Sequence, residues 1–167
     1  MPDTRLAVDT NFMMNLARPS EVALDALDVI RRRARGSRVF VTSTVLDELV
    51  CKIKNDPDFQ TRAHARKAME SMKAWGVLPV ALPAPQALIA RSITNKLLVQ
   101  GVIPWEERND ARILAEAAVL GCQMLISSDS DLRDADRTQL ARVFRECDVP
   151  AVVIRTPREI VREFGGR

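Results

Sequence analysis

The sequence predicts an α/β protein, a three-layer α/β/α sandwich built around a mostly parallel sheet of about five strands. Two observations lead to this prediction. Short apolar runs bounded by turn residues alternate with stretches whose apolar residues recur at helical spacing. These helical stretches are about ten residues or longer, the length that a crossover between parallel strands requires.

The strands are predicted from five short apolar runs. The helices between them are indicated by stripes such as Leu24, Leu27 and Ile30. The predicted strands cover residues 5–8, 39–42, 77–80, 123–126 and 151–155. In a parallel sheet of this kind, ligands bind beyond the carboxyl ends of the strands.

The helix boundaries are predicted from capping residues. Gly36, Gly76 and Gly121 each follow a helical run and precede a strand, which is typical of a helix C-terminus. Residues with short polar side chains stand where N-caps belong, and these are Ser20, Ser43 and Asn109. We therefore expect helices to begin directly after these three positions.

The segment 56–108 is longer than a single crossover needs. Around its strand it is predicted to form two helices, about residues 59–75 and 85–99. The first carries basic residues at its exposed positions. The chain closes with a predicted short helix at 156–164, with Pro157 in its first turn.

Composition limits the possible function classes. The 167 residues are most simply one domain, 1–167, and a net charge of +3 permits a polyanionic partner without requiring one. Three widely spaced cysteines and one histidine form neither a disulfide framework nor a zinc pattern, so we expect the cysteines to fill the core. No apolar stretch approaches the ~18 residues of a membrane span. The N-terminus lacks the form of a signal peptide, so a reduced cytoplasmic setting without membrane contact is expected.

Acidic residues stand at positions where the predicted strands end or the predicted helices begin. Asp9 closes the first strand, where it can cap the next helix, bind a metal, or do both. Glu48 projects away from the apolar stripe of its helix, so a solvated helix face explains it as well as a functional role does. Its neighbour Asp47 is also a candidate by chemistry alone.

Asp110 shares the apolar stripe of its helix with Ile113, Leu114 and Ala117. A buried carboxylate is costly unless a cation or a hydrogen-bond donor receives it, although the helix N-terminus offers part of that compensation.

Asp129 and Asp131 follow the apolar run 124–126, where they are either an Asx turn or ligands, and only one of them need be a ligand. All the acidic segments would end at one edge of the sheet. Clustered carboxylates without nearby Lys or His favour Mg²⁺ or Mn²⁺ over zinc.

These segments, in this order, resemble the PIN-domain nucleases, among them the ribonuclease toxins of bacterial toxin–antitoxin pairs. The resemblance lies in an Asp after the first strand, a Leu-x-Glu-Leu helix, and an Asp that opens an Ile/Leu/Ala-rich helix ending in Gly. It closes with Ser-x-Asp-x-Asp after a strand and with a further strand that leads to Thr-Pro. The matching segments are 8–11, 46–49, 110–121, 127–131 and 156–157.

The resemblance implies a metal-dependent endoribonuclease that hydrolyses RNA phosphodiester bonds in line, without a covalent enzyme intermediate. The catalytic acids would be Asp9, Glu48, Asp110 and Asp129, with Asp131 as a possible fifth metal ligand. Ser127 occupies the small hydroxyl position of the family. The resemblance also implies an antitoxin partner and a homodimer as possibilities. The basic residues that could guide the RNA backbone are Lys52, Lys54, Arg62, Arg66 and Lys67.

The chain departs from this family in its long segment 56–108 and in Leu132, which replaces an aromatic residue. Both departures bear on the toxin assignment and leave the acids untouched. Alternatives of the same fold are a catalytically inactive module that binds nucleic acid or protein, and a nuclease directed at DNA. A haloacid-dehalogenase-like phosphatase is disfavoured because Asn11 stands where its second Asp belongs. Trp105 is expected to be a packing anchor.

Overall fold

The structure, a computed structural model, describes residues 4–166. Its sheet has five parallel strands in the order β3-β2-β1-β4-β5. The strands are β1 (Arg5–Val8), β2 (Arg38–Thr42), β3 (Val77–Val80), β4 (Met124–Ile126) and β5 (Val153–Arg155). The predicted α/β class and five-stranded sheet are confirmed. The observed strands begin within two residues of the predicted starts and end where predicted.

Nine α-helices are found in the part of the chain that the structure describes. They are α1 (Thr10–Ala17), α2 (Glu21–Arg33), α3 (Ser43–Asn55), α4 (Phe59–Ser71), α5 (Ala84–Val99), α6 (Arg108–Val119), α7 (Ser130–Asp134), α8 (Arg137–Glu146) and α9 (Pro157–Phe164). A 3-10 turn, Trp105–Glu107, leads into α6. Of the two helices predicted in the long segment, α4 is shorter than expected and α5 begins one residue earlier.

Two predicted N-caps are wrong, while Ser20 does occupy the N-cap of α2. Ser43 is the first residue of α3, whose N-cap is Thr42. Asn109 lies inside α6, because the 3-10 turn before it moves the start of the helix to Arg108. A regular turn that runs directly into a helix leaves no extended residue at Asn109 to serve as a cap.

The crossovers explain how the helices divide into two layers. Across the sheet, β2 and β3 are added on one side of β1. The chain then crosses back over β2 and β1, and β4 and β5 are added on the other side. Right-handed connections place helices on opposite faces of the sheet when the side of addition changes in this way. The helix contacts agree, since α1, α3 and α4 pack together, whereas α5 packs with α6 and α8.

The core lies between the sheet and these two layers. The strands β1, β2 and β4 are buried except at their first residues, and Ala7, Val8, Val41 and Leu125 are fully shielded from solvent. Each buried aliphatic side chain of this size contributes about 1–3 kcal/mol to folding. The order in which successive strands are added across the sheet reverses between β1 and β4. The carboxyl ends of these two parallel strands therefore flank the crevice where α/β sheets bind ligands. The residues that follow these two strands are therefore the first to consider as a functional site.

Candidate active site

Asp9 follows β1 directly and is 2% exposed. Its Oδ1 accepts a hydrogen bond from the backbone N–H of Phe12 at 2.7 Å, which makes it the N-cap of α1. Its Oδ2 accepts a hydrogen bond from the hydroxyl of Ser127, the residue that follows β4. The pKa of Asp9 is raised to about 6, mainly because burial disfavours the charge and also because Asp129 and Glu48 repel it. Asp9 is thus a helix cap that also faces other carboxylates.

Glu48 lies on α3 and is half-buried. Its Oε2 accepts a hydrogen bond from the hydroxyl of Thr10, and its Oε1 accepts one from the side-chain amide of Asn109 at 2.8 Å. Thr10 follows Asp9 and Asn109 precedes Asp110. Glu48 therefore bridges the elements that carry two other predicted acids, which a plain solvated helix face would not do.

Asp110 lies in the first turn of α6, and its Oδ2 is buried without a hydrogen-bond partner among the described residues. Burial raises its pKa to about 8, and repulsion from Asp129, Asp9, Glu107 and Glu48 adds to that shift. Buried polar atoms in folded proteins nearly always have a partner. Its unpaired oxygen marks the point in the cluster where a cation or a proton is needed.

Asp129 is the N-cap of α7, and its Oδ1 accepts hydrogen bonds from the backbone N–H groups of Asp131 at 2.8 Å and Leu132 at 3.4 Å. The Asx turn that was considered from the sequence is therefore present. The charge of Asp129 nevertheless raises the pKa of Asp9 and Asp110, so this residue belongs to the same acidic group.

Glu107 is an acid of this group that the sequence reasoning missed. Burial raises its pKa first, followed by repulsion from Asp131, Asp129, Glu106 and Glu48. It stands in the 3-10 turn three residues before Asp110. The pair Glu106-Glu107 directly before the predicted helix was the available signal. The charge of Asp131 helps to raise the pKa of Glu107 after burial, so Asp131 also belongs to the acidic group. Asp47, by contrast, is exposed.

The donor set fits a hard divalent cation in type and charge, because it consists of oxygen atoms and includes the unpaired oxygen of Asp110. However, within residues 4–166 no three or more His, Cys, Asp or Glu side chains already converge as a metal site. Hydrogen bonds to Ser127, Thr10 and Asn109 hold Asp9 and Glu48 in their present orientations. Binding an ion therefore requires the other carboxylates of the group, Asp110 and Asp129, to turn toward these two.

The basic residues predicted to guide RNA lie on α3 and α4. Arg62 is committed to the connection between these helices, because its Nη1 donates to the carbonyl oxygens of Asp56 at 2.6 Å and Pro57 at 3.1 Å. Its guanidinium also lies 5.7 Å from the ring centroid of Phe59. Arg66 and Lys67 are exposed. Arg62 thus has a structural function, and the guiding role of the others stays a prediction.

Two minor predictions are wrong. Trp105 is 59% exposed, so it is not a packing anchor. None of the three residues of its 3-10 turn is buried, and the sequence pattern does not reveal this exposure. Cys51 is exposed on α3 and does not fill the core, whereas Cys122 is buried. Among the described helices, none has both the length and the apolar character needed to cross a membrane.

Comparisons with known proteins agree with the fold. The family profile described as PIN domain matches residues 6–138. The fold is similar to that of VapBC2 from Rickettsia felis bound to a DNA fragment from their promoter. That comparison has a TM-score of 0.63 and 13% identity, and it covers 92% of this chain and 98% of the other. It is also similar to FitAcB from Neisseria gonorrhoeae, with a TM-score of 0.57, 18% identity, and coverage of 92% and 98%. No curated protein matches the sequence.

Proposed function

Because the chain belongs to the PIN domain family, we propose that it is a nuclease that depends on a divalent metal ion and hydrolyses phosphodiester bonds in RNA. The observation that carries this proposal is the unpaired, buried oxygen of Asp110 within a group of mutually repelling carboxylates. Repulsion between these carboxylates lowers the stability of the metal-free protein, and a bound cation would remove that repulsion. Two of the four acids lie on helices, Glu48 on α3 and Asp110 on α6, and the other two, Asp9 and Asp129, are the N-caps of α1 and α7.

The metal would be held by Asp9, Asp110 and Asp129. Glu48 would be a further ligand or would orient the attacking water. Asp131 would be a fifth ligand at the edge of the site. When bound, Mg²⁺ or Mn²⁺ would polarise a phosphate oxygen and acidify a water molecule. The chain contributes orientation. Ser127 fixes the carboxylate of Asp9, while Thr10 and Asn109 fix that of Glu48. Hydrolysis would proceed in line, without a covalent enzyme intermediate.

We further propose that a small antitoxin binds this protein. The similar structures include FitAB bound to an IR36 DNA fragment, with a TM-score of 0.56 and 17% identity. An acidic cleft of this kind would attract an Arg-bearing segment of such a partner. A homodimer is a further proposal, which follows from the family to which the chain belongs. A cytoplasmic setting is proposed with these partners.

The proposed nuclease is tested by cleavage of single-stranded RNA and DNA with EDTA, Mg²⁺ or Mn²⁺. Wild-type protein should cleave RNA only with metal, and Asp110→Asn should lower the rate at least about 10³-fold because one metal ligand loses its charge. Asp25→Asn is the matched control, since Asp25 is an exposed aspartate of α2. It should leave the rate unchanged.

The alternatives correspond to distinct outcomes. Cleavage of DNA but not RNA would assign the same site to a DNA-directed nuclease. RNA binding without cleavage in any metal would favour an inactive binding module. Persistent cleavage in Asp110→Asn would contradict the assignment of the acids.

A further inference from the structure

A cleft with three arginines opens beside the acidic group, between α5 and α6. Arg91 lies on α5, while Arg108 and Arg112 lie on α6 one helical turn apart, and all three are exposed. The cleft has a volume of about 440 Å³, within the range of about 300–1,000 Å³ of small-molecule sites. Within residues 4–166, none of these arginines has an ion pair or a side-chain hydrogen bond. Three unpaired guanidinium groups around one cavity repel one another, so an anionic ligand would relieve them.

The cleft and the acidic group share the same edge of the sheet. Ser43 lines the cleft and directly follows the carboxyl end of β2. Arg108 precedes Asn109, whose side chain donates to Glu48, and stands two residues before Asp110. The two sites therefore lie on either side of the N-terminal turn of α6. A chain that crosses this turn would contact both of them.

The one carboxylate in the cleft is turned toward another helix. Glu116 accepts hydrogen bonds from the hydroxyl of Thr44 at 2.9 Å and from its backbone N–H at 3.3 Å. This backbone N–H belongs to the first turn of α3. The partial positive charge at that end of the helix offsets the negative charge of the Glu116 carboxylate. The cleft thus keeps a net positive charge, with Ser43 and Asn95 as neutral hydrogen-bond donors.

We propose that this arginine cleft, formed by Arg91, Arg108 and Arg112, binds a phosphate of the single-stranded RNA substrate next to the bond that is cleaved. The proposal rests on the proposed nuclease function, because it assigns the cleft to the substrate of that reaction. A guanidinium group matches a phosphate with two parallel hydrogen bonds, which also fixes the orientation of the backbone. The cleft positions the RNA, while the acids on the other side of the turn carry the chemistry.

The test separates binding from cleavage. In the Asp110→Asn background, the affinity for a fluorescently labelled RNA of about 12 nucleotides is measured by anisotropy in Mg²⁺ at several salt concentrations. The double change Arg91→Gln and Arg112→Gln should weaken binding about 10–100-fold at low salt. The slope of log K against log salt should fall by about 0.7, since the loss of one phosphate contact with a single strand removes about 0.7.

The matched control changes Arg35 and Arg145 to Gln. Both are exposed; Arg35 lies in the turn between α2 and β2, and Arg145 lies in the last turn of α8, the helix that precedes β5. These two changes remove the same charge at the opposite edge of the sheet. This control should bind RNA within about twofold of the background, because general attraction alone is screened over about 10 Å at ordinary salt. With Asp110 intact, the Arg91 and Arg112 changes should raise KM about 10-fold and leave kcat nearly unchanged.

The outcomes distinguish this proposal from the proposed function. If wild-type protein cleaves RNA but the two double variants bind RNA equally, the cleft assignment fails and the nuclease stands. If the wild type neither binds nor cleaves RNA, both fail. If poly-glutamate binds as tightly as RNA and loses affinity equally in the Arg91 and Arg112 variant, the cleft is a site for an acidic peptide and the phosphate assignment is overturned.

Discussion

At the residue scale, Asp9 shows how one carboxylate combines structure and chemistry. Its Oδ1 caps α1 through the N–H of Phe12, while its Oδ2 is held by Ser127. The cap uses one oxygen and the hydroxyl orients the other, so the side chain has a single position. Burial at this position raises the pKa of Asp9, and the charges of Asp129 and Glu48 raise it further. The fold thus fixes a carboxylate at a position that disfavours its negative charge.

Ser127 should therefore lower the pKa of Asp9 through its hydrogen bond. In Ser127→Ala the hydrogen bond that lowers the pKa of Asp9 is lost, so this pKa rises further above about 6. Because a metal competes with a proton for the carboxylate, the metal-dependent activity should shift to higher pH and fall about 10-fold or more at pH 6. The measurement is the pH dependence of cleavage and of the melting-temperature increase caused by Mg²⁺.

The control for this change is Ser128→Ala, because Ser128 is exposed and follows Ser127 directly. It should leave the pH profile in place, and Ser127→Thr should restore most of it by returning a hydroxyl. An equal shift in both alanine variants would contradict the positioning role of Ser127.

At the element scale, α9 depends on its first turn. Thr156 and Glu159 form a reciprocal capping box, in which Thr156 Oγ1 accepts from Glu159 N–H at 3.2 Å and Glu159 Oε2 accepts from Thr156 N–H at 2.7 Å. Pro157 at the first helical position has a preset φ. This helix packs on α2, so its cap supports one side of the sandwich.

Thr156→Ala should lower the free energy of unfolding by about 1 kcal/mol, which corresponds to a melting-temperature decrease of about 2–4 °C for a domain of this size. Ser20→Ala is the matched control. Ser20 occupies the N-cap of α2 but makes no side-chain capping bond, so its removal should cost much less. Thermal unfolding followed by circular dichroism measures both. Similar losses in the two variants would show that the capping bond is not the cause.

Sequence patterns predicted the elements well where burial is periodic along the chain. The strand ends at Val8 and Ile126 were recognisable because apolar runs stop at polar residues there. The parallel topology then brings the residues after them to one edge. Glu107 and Trp105 were not recognised, because they lie in a 3-10 turn with no periodic pattern. Their exposure and neighbours depend on how α6 approaches the sheet, which is a tertiary property.

The arginine cleft could not be predicted for a related reason. Arg91 and Arg112 lie 21 positions apart in the sequence and come together only because α5 packs along α6. Each arginine alone is typical of a solvated helix face.

By contrast, Asp9, Asp110 and Asp129 each follow a strand or stand at the start of a helix, and the sheet brings those positions together. Glu48 lies in the second turn of α3 and is the exception. Position at an element boundary is thus readable from sequence, whereas helix-to-helix contact is not.

At the scale of the whole molecule, the acidic group couples stability to pH. The pKa values of Asp9 and Asp110 in the folded protein are about 6 and about 8, above their ordinary value of 3.8. Between about pH 4 and pH 8 the folded protein therefore holds protons that the unfolded chain has released. Since stability falls with pH wherever the folded state binds more protons, metal-free protein should lose stability as the pH rises through this window.

Asp110→Asn should remove most of the loss of folding stability that metal-free protein undergoes between about pH 6 and pH 8. Each unit of pKa shift corresponds to about 1.4 kcal/mol, and solvent near this half-buried carboxylate reduces the total to about 1–3 kcal/mol. In EDTA the variant should melt about 2–10 °C above the wild type at pH 8 and close to it at pH 4.5. Thermal unfolding across this pH range provides the measurement, with Asp25→Asn as the control that follows the wild type.

Mg²⁺ should oppose the same loss, because a bound cation stabilises the charged carboxylates that the metal-free fold disfavours. The melting temperature of the wild type should therefore rise with millimolar Mg²⁺ at pH 8, rise little at pH 5, and respond weakly in Asp110→Asn. The proton and the metal would then act on one site with opposite dependence on pH. A wild-type stability that is flat from pH 5 to pH 8 in EDTA, together with no response to Mg²⁺, would contradict both the coupling and the metal site.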